Sequence, residues 1–274
     1  MKPAPFDYVQ AATLDEALAV LAADGGDARV IAGGQSLMAM LNMRLARPKV
    51  LVDIMRIEGL ARIAEERGRV VVGAGVRQAT LLAWDRLAAT LPLVALALPW
   101  TGHAQTRSRG TICGTVAHAD PSAEMPLCLV ALRGEVHLRS KRQRRTVAAA
   151  DYITGMMTTA RNDDELIEAV AFPAKPGRGY GFREVARRHG DFAIAACAAI
   201  ASADGVRLAV AGVADRPVAR DWPDLEGSAL DDALNAFAYE LDARDDIHAT
   251  ARYRRDLVRQ IGREVILEAK RCRA

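Results

Sequence analysis

One segment, RGTICGTVAHADPSAEMP at residues 109–126, limits what the chain can fold into. It holds two glycines, two threonines, two prolines, two carboxylates and a histidine, and it stands between two apolar segments with helical spacing. Glycine and proline are unfavourable inside helices and strands, so we predict a loop here that exposes its backbone. Such a loop allows a ligand to approach the main chain closely.

The chain before this segment alternates helix and strand patterns. TLDEALAVLAADGG has capping-box spacing at Thr13 and Glu16 and predicts a helix that ends at Gly25. A short strand that enters a glycine turn is predicted by ARVIAGGQS. A helix that stops before Pro48 is predicted by SLMAMLNMRLA, and a buried strand by VLVDI. These elements predict a small α/β unit at the start of the chain.

The rest of the chain predicts a meander followed by a smaller domain. RVVVGAG, GEVHLRS and DELIEAVAFP have strand patterns, whereas PLVALALPW and EMPLCLVALRG are helical. PAKPGRGYG at residues 173–181 is rich in proline and glycine and predicts a linker. After it, two strands joined by the turn dipeptide Asp204–Gly205 precede a helical remainder. We therefore predict two domains, the larger one first.

The composition argues against several classes of protein. The 274 residues are 51% apolar and 26% charged with a net charge of +3, which is ordinary for a globular protein and favours no nucleic-acid partner. No apolar run approaches the length of a membrane span and the first residues do not form a signal peptide, so we expect a cytoplasmic protein. The four cysteines lack zinc or iron–sulfur spacing, so we expect reduced thiols and no metal in this chain. The basic run at residues 139–145 is interpreted as a solvated hairpin turn.

Two glycine turns are candidates for binding an anion. In the first turn, IAGGQS at residues 31–36, Gly33 and Gly34 lie between a strand and a helix, where successive N–H groups can face a phosphate and Ser36 adds a hydroxyl. In the second turn, GTICGT at residues 110–115, each glycine is followed by a threonine. Each turn alone is more often structural, but two that face each other can hold a pyrophosphate. Neither is GxGxxG or a P-loop, so a Rossmann site and a Walker site are not predicted.

The HAD sequence at residues 118–120 has two possible hydrolytic interpretations. A zinc deaminase would need glutamate at the third position and a downstream PCxxC, but this position is Asp120 and no PCxxC follows. His118, Asp120 and a serine would suggest a catalytic triad, but no serine stands in a GxSxG elbow. We favour a loop histidine bound to backbone.

The two turns with their flanking sequence, IAGGQSLMAMLNMRLARPKVLVDI and RGTICGTVAHADPSAEMP, resemble the FAD-binding medium subunits of molybdenum hydroxylases, the family of carbon monoxide dehydrogenase and xanthine dehydrogenase flavoproteins. DELIEAVAFP and GFREVARRHGDFAIA extend the resemblance over nearly the whole chain. It implies an α+β fold with a two-lobed PCMH-type FAD-binding domain at residues 1–174, its lobes at about 1–55 and 56–174. A smaller domain with an antiparallel sheet and helices would follow at residues 175–274.

The resemblance also implies where FAD binds, without a covalent link. The two turns would wrap the two sides of the pyrophosphate, and Glu124 would contact the adenosine end. Arg183 would stand near the isoalloxazine, where the family usually has lysine, and Phe192 would shield a flavin face. The full set of expected cofactor-binding residues is Ala32, Gly33, Gly34, Gln35, Ser36, Thr101, Gly110, Thr111, Ile112, Gly114, Thr115, Glu124, Leu166, Ile167 and Arg183.

The function implied by the resemblance is electron transfer within a complex. Substrate would be oxidised at a molybdenum cofactor on a large subunit, and electrons would pass through [2Fe–2S] clusters on a small subunit to the FAD of this chain and then to an external acceptor. The complex would be a dimer of heterotrimers, and this chain would hold no catalytic acid–base residue. The alternatives are a stand-alone FAD oxidoreductase of the vanillyl-alcohol-oxidase type and a binding module that has lost FAD.

Overall fold

The computed structural model describes residues 2–175 and 177–273, so Pro176 of the predicted linker lies outside the described residues. The chain begins with a parallel three-stranded sheet in the order β1-β3-β2, with two helices between the strands. The elements are β1 (Asp7–Gln10), α1 (Leu14–Asp24), β2 (Ala28–Ile31), α2 (Leu37–Asn42) and β3 (Val50–Asp53).

The ends of the first two helices follow from local chemistry. The predicted capping box is confirmed, because Thr13 Oγ1 accepts from the Glu16 N–H at 3.2 Å and the Glu16 carboxylate accepts from the Ala12 N–H at 2.8 Å. The predicted length of α2 is wrong, because the helix ends at Asn42 and not shortly before Pro48. Arg44 has a φ of 58°, which turns the chain out of the helix.

The second lobe contains a five-stranded antiparallel sheet in the order β4-β5-β10-β6-β7, a small β8-β9 ladder and most of the short helices. The β6–β7 hairpin contains the basic run and confirms its interpretation as a turn. The elements are β4 (Ile63–Glu66), β5 (Arg69–Gly73), α3 (Gln78–Leu82), α4 (Leu87–Thr90), α5 (Pro92–Ala97), α6 (Ala104–Arg109), α7 (Ile112–His118), α8 (Glu124–Ala131), β6 (Glu135–Arg139), β7 (Arg144–Ala148), α9 (Ala149–Tyr152), β8 (Ile153–Gly155), β9 (Thr158–Thr159) and β10 (Leu166–Pro173).

The segment at residues 109–126 is largely helical, so the prediction of a loop was wrong. Thr111 begins α7 by accepting the Gly114 N–H on its Oγ1 at 3.0 Å, and Ala119, with φ 52°, ends it in the left-handed region. An N-cap of this kind offsets the low helix propensity of glycine and threonine. All eight residues of α8 are buried, and Pro126 lies in its first turn, where proline is tolerated.

The C-terminal part forms an antiparallel sheet in the order β11-β12-β13-β14, with two helices against one face. Its elements are β11 (Gly179–Val185), β12 (Ala195–Ser202), β13 (Gly205–Ala211), β14 (Val218–Trp222), α10 (Gly227–Glu240) and α11 (Ala251–Arg271). The predicted hairpin at Asp204–Gly205 is confirmed by the pairing of Ser202 with Gly205. No helix in the described ranges is long and apolar enough to cross a membrane.

Both faces of strands β11, β12 and β13 are largely buried, which decides where the residues of β11 point. Tyr180 and Phe182 pack into the core of the preceding domain, beside α5. On the other face, a β-carbon at Gly181 would overlap the carbonyl oxygen of Val265 in α11, so glycine allows that helix to approach closely. Side chains alternate along a strand, so Glu184 faces the preceding domain and Arg183 faces α11.

Candidate cofactor site

A cavity of about 820 Å³ lies where the two glycine turns meet the C-terminal sheet. This volume falls within the range of sites for small molecules and cofactors. The structure brings most of the expected cofactor-binding residues to the wall of this cavity. Those lining it are Ala32, Gly33, Gly34, Gln35, Ser36, Thr101, Gly110, Thr111, Gly114, Thr115, Glu124, Leu166 and Ile167.

The two turns touch each other at one wall of the cavity. A β-carbon built on Gly33 would overlap the carbonyl oxygen of Arg109 and crowd the Cα of Gly110. The next residue, Gly34, has a φ of 70°, which side chains other than glycine rarely adopt. Gly33 therefore allows the backbones of the two turns to meet, and Gly34 allows the first turn to adopt its left-handed conformation.

The first turn presents unused backbone N–H groups. Within the described ranges, the N–H groups of Gly33, Gly34, Gln35 and Ser36 donate no hydrogen bond, although the Gly34 carbonyl accepts from Met38 at 3.0 Å. Successive free N–H groups make an anion-binding concavity. The first turn therefore fits the pyrophosphate of a dinucleotide.

The second turn uses its N–H groups differently. Gly110 donates to the Thr106 carbonyl at 2.7 Å and Ile112 to the Val76 carbonyl at 3.1 Å, while Gly114 donates to its helix cap. Ile112 is fully buried behind the wall and does not line the cavity, contrary to the expectation. The second turn therefore shapes the cavity and supplies the Thr115 side chain to its lining, with fewer free N–H groups.

Glu124 places a carboxyl group in the wall at the start of α8. It is 6% exposed, and its Oε2 accepts from the Thr101 hydroxyl at 3.0 Å. Burial raises the pKa of Glu124, while its own backbone N–H and the Thr101 hydroxyl act in the opposite direction. The Arg107 guanidinium donates to the carbonyls of Pro99, Thr101 and Gly102 at 3.1, 3.0 and 2.9 Å, which fixes the loop that carries Thr101.

Arg183 does not line the cavity, which corrects its expected position near the flavin. Its half-exposed guanidinium lies 3.2 Å from Glu264 and 3.8 Å from Glu268 on α11. The reason is the alternation of side chains along β11, which turns Arg183 away from the preceding domain.

His118 lies at the end of α7 and lines the cavity, half-buried, instead of standing in a loop. Burial lowers its pKa, and the nearby Asp120 opposes this effect. Asp120 Oδ1 accepts from the Ser122 N–H at 2.8 Å, so it orders the turn before α8. No hydrogen bond joins His118 to a serine or a carboxylate in the part of the chain described, so the triad interpretation has no geometric support.

Two parts of the wall were not found from the sequence. Gln78 is 3% exposed, lines the cavity, and holds the second turn through its N–H, which donates to the Gly110 carbonyl at 2.8 Å. Its Oε1 is buried and has no partner among the described residues. The motif around Gln78, VRQATL, carries no recognisable signal.

The other part is the C-terminal wall, which Arg254 of α11 holds in place. Its guanidinium donates to the Ile194 carbonyl at 2.6 Å and to the Gly212 carbonyl, and it pairs with Asp246. Gly212 in turn donates its N–H to the Pro121 carbonyl at 2.7 Å, which joins the C-terminal sheet to the segment before α8. Such contacts over long sequence separations leave no local pattern.

Comparisons with known proteins agree with this geometry. The profile of a family described as "FAD binding domain in molybdopterin dehydrogenase" matches residues 4–175. The chain is 39% identical over 283 residues to the nicotine 6-hydroxylase medium subunit of Paenarthrobacter nicotinovorans, covering 98% of this chain and 99% of that one. It is 35% identical over 283 residues to the carbon monoxide dehydrogenase medium chain of Afipia carboxidovorans, covering 98% of each. A chain of reconstituted CO dehydrogenase from Oligotropha carboxidovorans superposes with a TM-score of 0.95 at 33% identity, covering 99% of this chain and 100% of that one.

Proposed function

This chain belongs to the family of FAD-binding medium subunits of molybdenum hydroxylases, and we propose that it carries the FAD that passes electrons out of such a complex. The names of its relatives describe medium chains, which supports a subunit and not a stand-alone oxidoreductase of the vanillyl-alcohol-oxidase type. When bound, FAD supplies the redox chemistry, and the residues of this chain bind it, orient it and shield it from water. Residues 1–174 form the FAD-binding domain and residues 175–274 close the cavity.

The partners in this proposal hold the other redox centres. A large subunit holds the molybdenum cofactor and the substrate, and a small subunit holds the [2Fe–2S] clusters that reduce the FAD. The assembly is a dimer of heterotrimers in the cytoplasm, where reduced cysteines are usual. All four cysteines of this chain are free, three of them buried.

The observation that carries the proposal is the row of four free N–H groups at Gly33–Ser36, set against the second turn. We assign the pyrophosphate to this row, because a buried dianion needs several hydrogen-bond donors. Glu124 can accept from hydroxyl groups of the cofactor, and the unpartnered Gln78 can accept from another donor. The thirteen expected residues that line the cavity remain our proposed cofactor contacts, with Gln78 added.

The test is the visible absorption spectrum of the full chain with added FAD. We expect flavin bands shifted from those of free FAD, and release of the cofactor by denaturant. Gly33→Ala should weaken binding by about 100-fold, or about 2.7 kcal/mol, because its methyl group pushes the two turns apart.

Gly59→Ala is the matched control, since a β-carbon there meets nothing within 4 Å and the residue does not line the cavity. It should bind FAD like the wild type. If the folded wild-type chain binds no FAD, alone or with its partner subunits, the proposal fails. A flavin that stays attached after denaturation would instead indicate the covalent, stand-alone class.

A further inference from the structure

A second carboxyl group is buried on β11, and α5 packs against both β11 and α8, the helix that begins at Glu124. Glu184 of β11 is 5% exposed and points towards the preceding domain. Both of its carboxyl oxygens are buried, and neither has a hydrogen-bond partner among residues 2–175 and 177–273. A buried carboxylate without partners is strongly unfavourable, so the group needs either a cation or a proton.

Among the described residues, no cation forms an ion pair or hydrogen bond with Glu184. Burial, followed by the charges of Glu124 and Glu184, raises the pKa of the Cys128 thiol, which lies one turn after Glu124 on α8. The neighbouring elements α5 (PLVALA) and β12 (AACAAIAS) carry no charged residue. Arg183 faces α11, on the other side of β11.

The two carboxyl groups differ in what stabilises their charge. The charge of Glu124 is stabilised by its own backbone N–H, the Thr101 hydroxyl and the nearby Arg107, and opposed by burial and Asp120. Glu124 also begins α8, where the helix dipole favours a negative charge. Glu184 has no such group. Burial, followed by the charge of Glu124, raises the pKa of Glu184 to about 8.

We propose that Glu184 holds a proton at the boundary between the two domains while Glu124 is ionised, and that FAD binds more weakly once the Glu184 proton is lost. The inference rests on the proposed function, in which Glu124 lines the FAD site. FAD brings a dianion into a cavity whose wall already holds one carboxylate. Loss of the Glu184 proton adds a second carboxylate near that wall, so FAD binding then requires this proton to be taken up again.

The test is a titration of the full chain with FAD, followed by flavin fluorescence, between about pH 6 and pH 9 at constant ionic strength. For the wild type we expect a constant dissociation constant near neutral pH, followed by a rise of up to about tenfold per pH unit, the limit for one proton. Glu184→Gln has the shape of the protonated acid and cannot ionise, so its affinity should not change over this range. Glu264→Gln, which removes an exposed carboxylate facing the opposite side of β11, should behave as the wild type.

Two further measurements on the wild type and Glu184→Gln keep the inference testable. Calorimetry in buffers of different ionisation enthalpy at about pH 8 should show proton uptake on FAD binding by the wild type and none by the variant. The infrared spectrum of the wild type should contain the C=O band of a buried carboxylic acid, which Glu184→Gln removes.

The outcomes separate this inference from the proposed function. Absence of FAD binding by the wild type near pH 6 would contradict the proposed function. FAD binding whose affinity is independent of pH, or whose pH dependence survives in Glu184→Gln, would overturn the role of the Glu184 proton alone.

Discussion

The two glycine turns have similar compositions, each with two glycines and at least one hydroxyl side chain, but they use their backbones differently. In the first turn, residues 33–36 leave their N–H groups free in the part of the chain that the structure describes. In the second turn, Gly110, Ile112 and Gly114 donate to the Thr106 carbonyl, the Val76 carbonyl and the cap hydroxyl of Thr111. The first turn thus resembles a binding loop, while the second is the start of a helix.

This difference shows why glycine content alone does not identify an anion site. In the second turn, Gly110 lies against Gly33 of the first turn, and a β-carbon at Gly114 would press on the Thr111 hydroxyl. Its glycines satisfy contacts within the protein, whereas those of the first turn leave donors for a ligand. Substitutions in the first turn should therefore change FAD affinity, and substitutions in the second should mainly change stability.

After Gly33→Ala, the largest loss of FAD affinity is expected for Gly34→Ala in the first turn. Alanine at a φ of 70° is strained by about 1 kcal/mol, and relief of this strain would rotate the free N–H groups. FAD affinity should fall by about tenfold, equivalent to about 1.4 kcal/mol. Fluorescence titration with FAD measures the affinity, and thermal unfolding of the protein without FAD measures the strain.

Gly68→Ala is the matched control for backbone strain. Gly68 has a φ of 75°, a β-carbon there meets nothing within 4 Å, and it lies outside the cavity lining. Both variants should lose similar stability, and only Gly34→Ala should lose affinity. Equal affinities in the two variants would contradict the role given to the first turn.

In the second turn, Thr111→Ala should act on stability first. Loss of the N-cap of α7 should lower the free energy of unfolding by about 1 kcal/mol, with a smaller fall in FAD affinity than for Gly34→Ala. Thr250→Ala removes the equivalent cap of α11, where Thr250 Oγ1 accepts from the Tyr253 N–H at 3.2 Å. This control should lose similar stability and keep its affinity, as chemical denaturation and FAD titration can show. A larger affinity loss in Thr111→Ala than in Gly34→Ala would reverse the comparison.

Behind the second turn, Gln78→Leu should change stability and affinity in opposite directions. In the wild type, Gln78 Oε1 is buried without a partner in the described residues. An apolar side chain of similar size should therefore leave the FAD-free variant at least as stable as the FAD-free wild type. If Gln78 contacts FAD, the affinity should fall several-fold. Unfolding without FAD and titration with FAD test the two parts separately, and an unchanged affinity would remove Gln78 from the proposed contacts.

The parts of the fold and site that could be predicted from the sequence are those with local signals. The strand–turn–helix around Gly33 and the hairpin at Asp204–Gly205 have such signals, and both were predicted. Three elements were missed: the half-polar edge strands β1 and β14 and the capped helix α7. The residues of β1 and β14 have weak strand propensity, and pairing with the neighbouring strand overrides it. The residues of α7 have weak helix propensity, and the Thr111 cap overrides it. The C-terminal wall around Arg254 depends on hydrogen bonds to distant residues, for which the sequence offers no period or motif.

The smallest effect is expected outside both turns, for Arg183→Gln. The resemblance placed this residue beside the flavin, but a strand has two faces, and an error of one position moves a side chain to the opposite face. Arg183 lies on the surface against Glu264 and Glu268, and exposed ion pairs of this kind contribute at most about 1 kcal/mol. The variant should therefore keep the wild-type flavin spectrum, FAD affinity and flavin reduction potential. A shifted potential in a redox titration of Arg183→Gln would show that the residue acts on the flavin from beyond the cavity wall, whereas an unchanged potential would leave the inward-facing Glu184 as the residue of β11 that influences the cofactor.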